Sequence, residues 1–115
     1  MRRLGETLEA LEQVVAARKA APSERSYTSR LLAGGVGAIG PKVTEEAGEL
    51  VAAAAAESDD RVSAEAADLI YHMLVLLASR GIPFASVENV LAGRFGISGL
   101  DEKAARRPSA PGAAS

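Results

Sequence analysis

Five carboxylates near the middle of the chain are spaced so that they can share one site. Glu45, Glu46 and Glu49 lie within little more than one turn of a helix and span an arc of about 100°. Glu65 and Asp68 are three residues apart, so on a second helix they are neighbours on one face. If the two helices pack antiparallel with these faces together, all five side chains converge.

Such crowding of negative charge is unfavourable unless carboxyl groups take up protons or a cation lies among them. Oxygen ligands favour Mg²⁺, with Mn²⁺ as a substitute, over Zn²⁺. Residues 45–68 contain eight acidic residues and one basic residue, for a net charge of −7, whereas residues 1–42 carry +3 and residues 69–115 carry +2. This distribution indicates a cation site that handles a polyanionic substrate, and it argues against a nucleic-acid-binding face in the middle of the chain.

The alternative is a solvated acidic surface, and the apolar residues around the acids argue against it. On the first helix, apolar residues surround the acids on several faces: Val43, Ala47, Leu50, Val51, Ala52, Ala53, Ala54 and Ala56. On the second helix, an apolar arc lies beside the acids: Leu69, Ile70, Met73, Leu74 and Leu77. A helix that is apolar nearly all round is buried on several faces. We therefore expect the carboxylates at the edge of a packed interface.

Apolar periodicity predicts an all-α fold, an antiparallel helical bundle of about four to five helices. The predicted helices span residues 4–20, 26–33, 41–57, 61–80 and 84–95. A serine is the predicted cap of the second helix, Pro41 a first-turn residue and Gly81 a C-terminal stop. Between the second and third helices a flexible loop is predicted, which contains Gly34, Gly35, Gly37 and Gly40. Residues 1–107 form the predicted domain, and residues 108–115 a disordered tail.

The composition predicts a core that a partner chain completes. The chain has 115 residues, of which 48% are hydrophobic but only 3% aromatic. Aromatic side chains carry much of the buried area in ordinary cores, and small domains bury a smaller share of their surface. An obligate oligomer is therefore expected. No cysteine is present, which excludes thiolate metal sites, and no signal region or membrane-length apolar stretch occurs, which predicts a cytoplasmic protein without a membrane partner.

Four ordered blocks of sequence resemble a known family. The run Glu45-Glu46-Ala47-Gly48-Glu49, followed after 15 residues by Glu65-Ala66-Ala67-Asp68, resembles the EExxE…ExxD signature of the MazG-like all-α nucleoside triphosphate pyrophosphohydrolases. Three blocks are similar to segments of one branch, the phosphoribosyl-ATP pyrophosphohydrolases: residues 26–35 to SYTSKLL, residues 66–77 to ADLLYHLLVLL and residues 98–104 to SGLEEK. The resemblance covers about residues 4–107. It departs from the family pattern at Gly40-Pro41, which predicts a helix start close to the carboxylates.

The resemblance implies hydrolysis of phosphoribosyl-ATP to phosphoribosyl-AMP and pyrophosphate, the second step of L-histidine biosynthesis. It also implies dependence on Mg²⁺ and a homodimer. The metal ligands that it implies are Glu45, Glu46, Glu49, Glu65 and Asp68, and one member of the Glu45-Glu46 pair can instead activate the attacking water. Some relatives are fused to a phosphoribosyl-AMP cyclohydrolase. This chain has no room for that enzyme, so a separate cyclohydrolase is the expected functional partner.

Basic residues are candidates for binding the substrate phosphates. Arg30 and Lys42 lie beside the glycine-rich segment, and Lys103 lies in a basic C-terminal segment that can cover the substrate. The alternative for all three is a solvated surface. His72, the only histidine, lies one turn beyond Asp68 and can hydrogen-bond to it, although a packing role is the favoured interpretation.

Three other functions compete with this interpretation. A MazG-like housekeeping enzyme that hydrolyses free nucleoside triphosphates would use the same metal site. A di-iron carboxylate bundle usually needs Glu-x-x-His pairs, and this chain has a single histidine. A non-enzymatic helical dimerisation module would leave the converging carboxylates unexplained. A panel of substrates separates a phosphoribosyl-ATP hydrolase from a hydrolase of free nucleoside triphosphates. Absence of Mg²⁺ binding would support the non-enzymatic module.

Overall fold

The computed structural model of the protein describes residues 3–95, which contain helices and no strand. The helices are α1 (Leu4–Ala20), α2 (Tyr27–Ala56), α3 (Asp59–Ser79) and α4 (Phe84–Ala92). This confirms the predicted all-α class. The two longest helices, α2 and α3, make the most extensive contact with each other, and α1 contacts both. A separate compact unit begins at Ile82 and contains α4. Lys103 and the predicted tail at 108–115 lie outside the described residues.

Serine caps and a glycine stop set the ends of the helices that carry the site. The Ser26 side chain accepts a hydrogen bond from the Ser29 N–H at 3.1 Å, which confirms the predicted cap of α2. Ser58 accepts from the Arg61 N–H at 3.3 Å, so α3 begins two residues earlier than predicted. Gly81, just beyond α3, has a φ of 68°, a left-handed conformation that glycine adopts without steric cost and that ends helices.

The glycine-rich segment is helical, so the predicted loop is wrong. α2 continues through it with one break at Gly35, where φ is 63° and ψ is −157°. The predicted helices at 26–33 and 41–57 are therefore the N-terminal and C-terminal parts of one kinked helix. Pro41 lies inside the C-terminal part and not in its first turn, so the helix does not start close to the carboxylates. A glycine costs only about 1 kcal/mol in a helix, so tertiary packing of the segment, which includes the fully buried Ile39, can offset that cost.

The kink predicts opposite effects of two glycine substitutions. We expect Gly35→Ala to lower the free energy of unfolding by about 1–3 kcal/mol, because its backbone conformation is essentially restricted to glycine. A methyl group there meets no atom within 4 Å, so the cost lies in the backbone. Gly37→Ala is the matched control, since its site is equally open and its φ is negative. It should raise the free energy of unfolding by about 0.4–1 kcal/mol. Urea denaturation measures both, and equal effects would contradict the assignment of the kink.

A small apolar core joins the three helices of the first compact unit. Its buried members are Val15 of α1, Leu31 and Ile39 from the two parts of α2, and Val75 of α3. Not every apolar residue that the periodicity predicted to pack does so, because Val51 is 69% exposed. Helical spacing places a residue on a face, but the neighbouring helices determine which face is covered.

Helix α3 is long and apolar enough that its length and composition alone would permit a membrane span. It nevertheless carries the buried polar side chains Glu65 and His72, and it packs along α2. A charged residue within a membrane span is costly. These features argue against a membrane span.

Candidate metal centre

The paired helices bring the five predicted carboxylates together. The C-terminal part of α2 carries Glu45, Glu46 and Glu49, and α3 carries Glu65 and Asp68. Because Glu57 and Ser58 alone join the two helices, the chain turns back and the two acidic faces lie at the same level.

The carboxylates form two triads that share one residue. The first triad is Glu45, Glu46 and Glu49, and the second is Glu46, Glu65 and Asp68. In each triad, one carboxylate oxygen from every member lies within 4.8 Å of the others. The predicted convergence is therefore present, with Glu46 at its centre. The roles of these residues as metal ligands stay a prediction.

Two carboxylates of the second triad are buried. Glu46 is 8% exposed and Glu65 is 5% exposed. The Oε2 atom of each is buried without a hydrogen-bond partner among residues 3–95. A buried ionised oxygen with no partner is costly, so the fold places two acceptors where a positively charged partner would be stabilising. Carboxylate oxygens are the ligands that Mg²⁺ and Mn²⁺ prefer, and the residues present therefore fit a bound divalent cation.

The environment of Glu65 favours its neutral form. Burial raises the pKa of the Glu65 carboxyl, and the neighbouring Glu49 and Asp68 carboxylates raise it further. The Arg61 guanidinium opposes the shift and lowers the pKa, but by less. When no cation is bound, the second triad therefore destabilises the ionised form of Glu65.

This shift predicts how the stability of the metal-free protein depends on pH. A carboxyl whose folded pKa lies above the ordinary value of 4.5 stabilises the folded state when it is protonated. That stabilisation is complete below the ordinary value and is lost as the pH rises through the folded pKa. In EDTA, the stability of the wild type relative to Glu65→Gln should therefore rise as the pH falls from neutral towards 4.5. Urea denaturation at a series of pH values measures it, and a difference that stays constant over this range would contradict the prediction.

Among the described residues, one basic side chain forms an ion pair with a member of each triad. Lys42 Nζ lies 3.1 Å from Glu45 Oε1 in the first triad. The hydrogen bond and the electrostatic attraction from Glu45 raise the pKa of Lys42, and Tyr27 makes a smaller contribution in the same direction. Arg61 Nη2 lies 2.9 Å from Glu65 Oε1 in the second triad. The structure therefore places Lys42, a predicted substrate-binding residue, directly beside the carboxylates.

Sequence reasoning did not identify Arg61 as part of the site. The signal that could have found it is the spacing of Glu57, Arg61 and Glu65, because residues four apart are neighbours on a helical surface. Arg30, which the sequence did predict, lies near the turn between α1 and α2. Its Nη1 donates to the Glu24 carbonyl oxygen at 3.1 Å, and it lines a shallow cavity of about 200 Å³ with Ser23 and other residues. Its role in substrate binding stays a prediction.

A buried histidine attaches the N-terminal end of α2 to α3 beside the second triad. His72 Nδ1 lies 2.8 Å from the Asp68 main-chain oxygen, which can only accept, so Nδ1 donates. In the neutral ring Nε2 then accepts from the Tyr27 hydroxyl at 2.9 Å. The Tyr71 ring meets the His72 ring edge-on, and the Tyr71 hydroxyl is hydrogen-bonded to Thr28 Oγ1. The His72 ring therefore hydrogen-bonds to the main chain of Asp68 and not to its carboxylate. This agrees with the packing role favoured from the sequence.

Comparison with known proteins gives consistent results over most of the chain. A family described as phosphoribosyl-ATP pyrophosphohydrolase matches residues 8–95. The chain is 51% identical over 100 residues to a phosphoribosyl-ATP pyrophosphatase of Rhizorhabdus wittichii, covering 87% of this chain and 94% of that protein. It is 49% identical over 104 residues to the phosphoribosyl-ATP pyrophosphatase of Zymomonas mobilis, covering 90% and 97%. The protein of the same name from Erythrobacter litoralis is 49% identical over 100 residues, covering 87% and 96%.

Proposed function

The chain belongs to the phosphoribosyl-ATP pyrophosphohydrolase family, and we propose that it hydrolyses phosphoribosyl-ATP to phosphoribosyl-AMP and pyrophosphate with Mg²⁺ bound at the two carboxylate triads. This reaction is the second step of L-histidine biosynthesis. The observation that carries the metal dependence is the pair of buried oxygens, Glu46 Oε2 and Glu65 Oε2, that have no hydrogen-bond partner among the described residues. The proposed location is the cytoplasm.

The reaction breaks the anhydride bond between the α and β phosphates. The oxygen of a water molecule forms the new bond to phosphorus, and pyrophosphate leaves. One carboxylate of the Glu45-Glu46 pair accepts the proton of that water, and the other would hold the cation together with Glu49, Glu65 and Asp68. When bound, Mg²⁺ supplies charge neutralisation and polarisation of the phosphate oxygens. Mn²⁺ is the expected substitute, because it takes the same oxygen ligands.

Basic residues bind the phosphates in this proposal. Lys42 is the best placed, because its ammonium group already lies 3.1 Å from Glu45 and can reach an oxygen of a phosphate held beside that carboxylate. Arg30 and Lys103 are assigned to the remaining anionic groups of the substrate. Lysine binds a phosphate as a point charge, whereas arginine binds it through two parallel hydrogen bonds. The two residue types can therefore serve different parts of a polyanion.

We also propose a homodimer. Large apolar side chains are exposed on the helices of the first compact unit: Leu4, Val14, Val36 and Val51. A small domain with so few aromatic residues gains from a partner that covers such side chains. A separate phosphoribosyl-AMP cyclohydrolase is the proposed consumer of the product.

Pyrophosphate release from three substrates tests the function. Phosphoribosyl-ATP, ATP and dUTP are each incubated with the protein, with Mg²⁺ and with EDTA. We expect fast release from phosphoribosyl-ATP alone, and only with Mg²⁺. Release mainly from ATP or dUTP would instead assign the protein to the housekeeping MazG-like enzymes. No release from any substrate would favour a non-enzymatic dimerisation module.

A further inference from the structure

Arg61 occupies an unusual place between two carboxylates of different kinds. Its Nη2 lies 2.9 Å from Glu65 Oε1, inside the second triad, and its Nε lies 3.4 Å from Glu57 Oε1, outside both triads. Glu57 is the C-cap of α2, so the guanidinium is anchored at the turn that joins the two helices of the site. The Arg61 side chain itself is more than half exposed, whereas that of Glu65 is almost completely buried.

The two oxygens of Glu65 are used differently. Oε1 accepts from Arg61, and Oε2 is buried without a partner among the described residues. One carboxylate oxygen of Glu46 and one of Asp68 lie within 4.8 Å of a Glu65 oxygen, so these like charges repel it. Among residues 3–95, the ion pair with Arg61 supplies a positive charge that offsets this repulsion. Without this ion pair, repulsion within the triad would be expected to turn Glu65 towards solvent, where it would cease to be a ligand.

We infer that Arg61 is a positioning residue, which holds Glu65 by one oxygen so that the carboxylate stays in the second triad with its other oxygen free for a divalent cation. The inference rests on the metal site of the proposed function. The opposing possibility is that Arg61 is only a counterion, which a metal must displace. The two roles predict opposite signs, because removal of a positioning residue weakens metal binding, whereas removal of a competing cation tightens it.

Binding of Mn²⁺ alone to the full chain, measured by isothermal titration calorimetry, separates these roles. We expect Arg61→Gln to bind Mn²⁺ roughly tenfold more weakly than the wild type, within the range seen when groups behind metal ligands are removed. Glu57→Gln is the matched control, because it removes the anchor of Arg61 and leaves both triads intact. It should cause a smaller loss in the same direction. Arg61→Lys keeps the charge but lacks a guanidinium that can contact Glu57 and Glu65 at once. It should therefore recover part of the Mn²⁺ affinity that Arg61→Gln loses.

Hydrolysis of phosphoribosyl-ATP supplies a second measurement that a general structural defect would not reproduce. If Arg61 positions a metal ligand, the kcat of Arg61→Gln should return towards the wild-type value as Mn²⁺ is raised. A variant that is merely misfolded would not recover in this way, and its unfolding midpoint in EDTA reveals such a defect directly.

The outcomes that overturn the inference differ from those that overturn the function. Equal or tighter Mn²⁺ binding by Arg61→Gln, beside normal binding by the wild type, would overturn the positioning role alone. Failure of the wild type to bind Mn²⁺ would overturn the role together with the proposed metal site. Weaker binding by Arg61→Gln with recovery at high Mn²⁺ would support it.

Discussion

Glu46→Gln is expected to release pyrophosphate from phosphoribosyl-ATP at least about 100-fold more slowly than the wild type. Loss of a group behind a metal ligand already costs about 10- to 100-fold in affinity or activity. Glu46 is a member of both triads, so its replacement removes a carboxylate oxygen from each at once. Steady-state kinetics at several Mg²⁺ concentrations measure the effect. Retention of more than a tenth of the wild-type rate would show that neither triad holds the catalytic metal.

The same substitution, although it slows the reaction, should stabilise the protein when metal is absent. Glu46→Gln replaces a buried carboxylate that has an unpartnered oxygen and like charges nearby, so the unfolding midpoint in EDTA should rise. Mg²⁺ should stabilise the wild type, by about 2.7 kcal/mol at a concentration 100 times its dissociation constant. The variant should lose most of that gain. Glu45→Gln is the control, because Glu45 is exposed and belongs only to the first triad, so its midpoint in EDTA should move less.

Ile39→Ala is expected to lower the free energy of unfolding by about 2–5 kcal/mol. Ile39 is 0% exposed and lies in the core cluster with Val15 of α1, Leu31 from the other part of α2 and Val75 of α3. The alanine side chain leaves a cavity where three helices meet. Small domains are commonly stable by only about 5–15 kcal/mol, so this single change removes a large fraction of the total.

A graded series at this position distinguishes a cavity from a general perturbation. Ile39→Val removes one methyl group and should cost about 0.5–1.5 kcal/mol. Urea denaturation with EDTA measures both variants without a contribution from bound metal. A cost below about 1 kcal/mol for Ile39→Ala would show that the neighbouring helices can close over the missing side chain, and that the core is less tightly packed than the structure indicates.

The core and the metal centre depend on the same pairing of helices. Ile39 and Glu46 lie on the C-terminal part of α2, and Val75 and Glu65 lie on α3. Packing of the apolar pair brings the two acidic faces together against their mutual repulsion. The hydrophobic core therefore stabilises a cluster of charges that is unfavourable by itself.

The sequence by itself determined the features that depend on neighbouring residues along the chain. Helical geometry places Glu45, Glu46 and Glu49 on one arc, and the structure keeps them there. The cap at Ser26 and the stop at Gly81 are also local, because each depends on hydrogen bonds or backbone angles within one turn. The family could be recognised from sequence for a related reason, since its motifs are short runs with fixed spacing.

Only the tertiary structure decided the features that depend on residues far apart in the chain. Four glycines predicted a loop, yet the burial of Ile39 against α1 and α3 keeps that segment helical and confines the break to Gly35. Helical spacing could not show that Glu46 rather than Glu45 is the buried member shared by both triads. Burial of a charge depends on what the opposite helix places beside it, and no pattern within one helix contains that information.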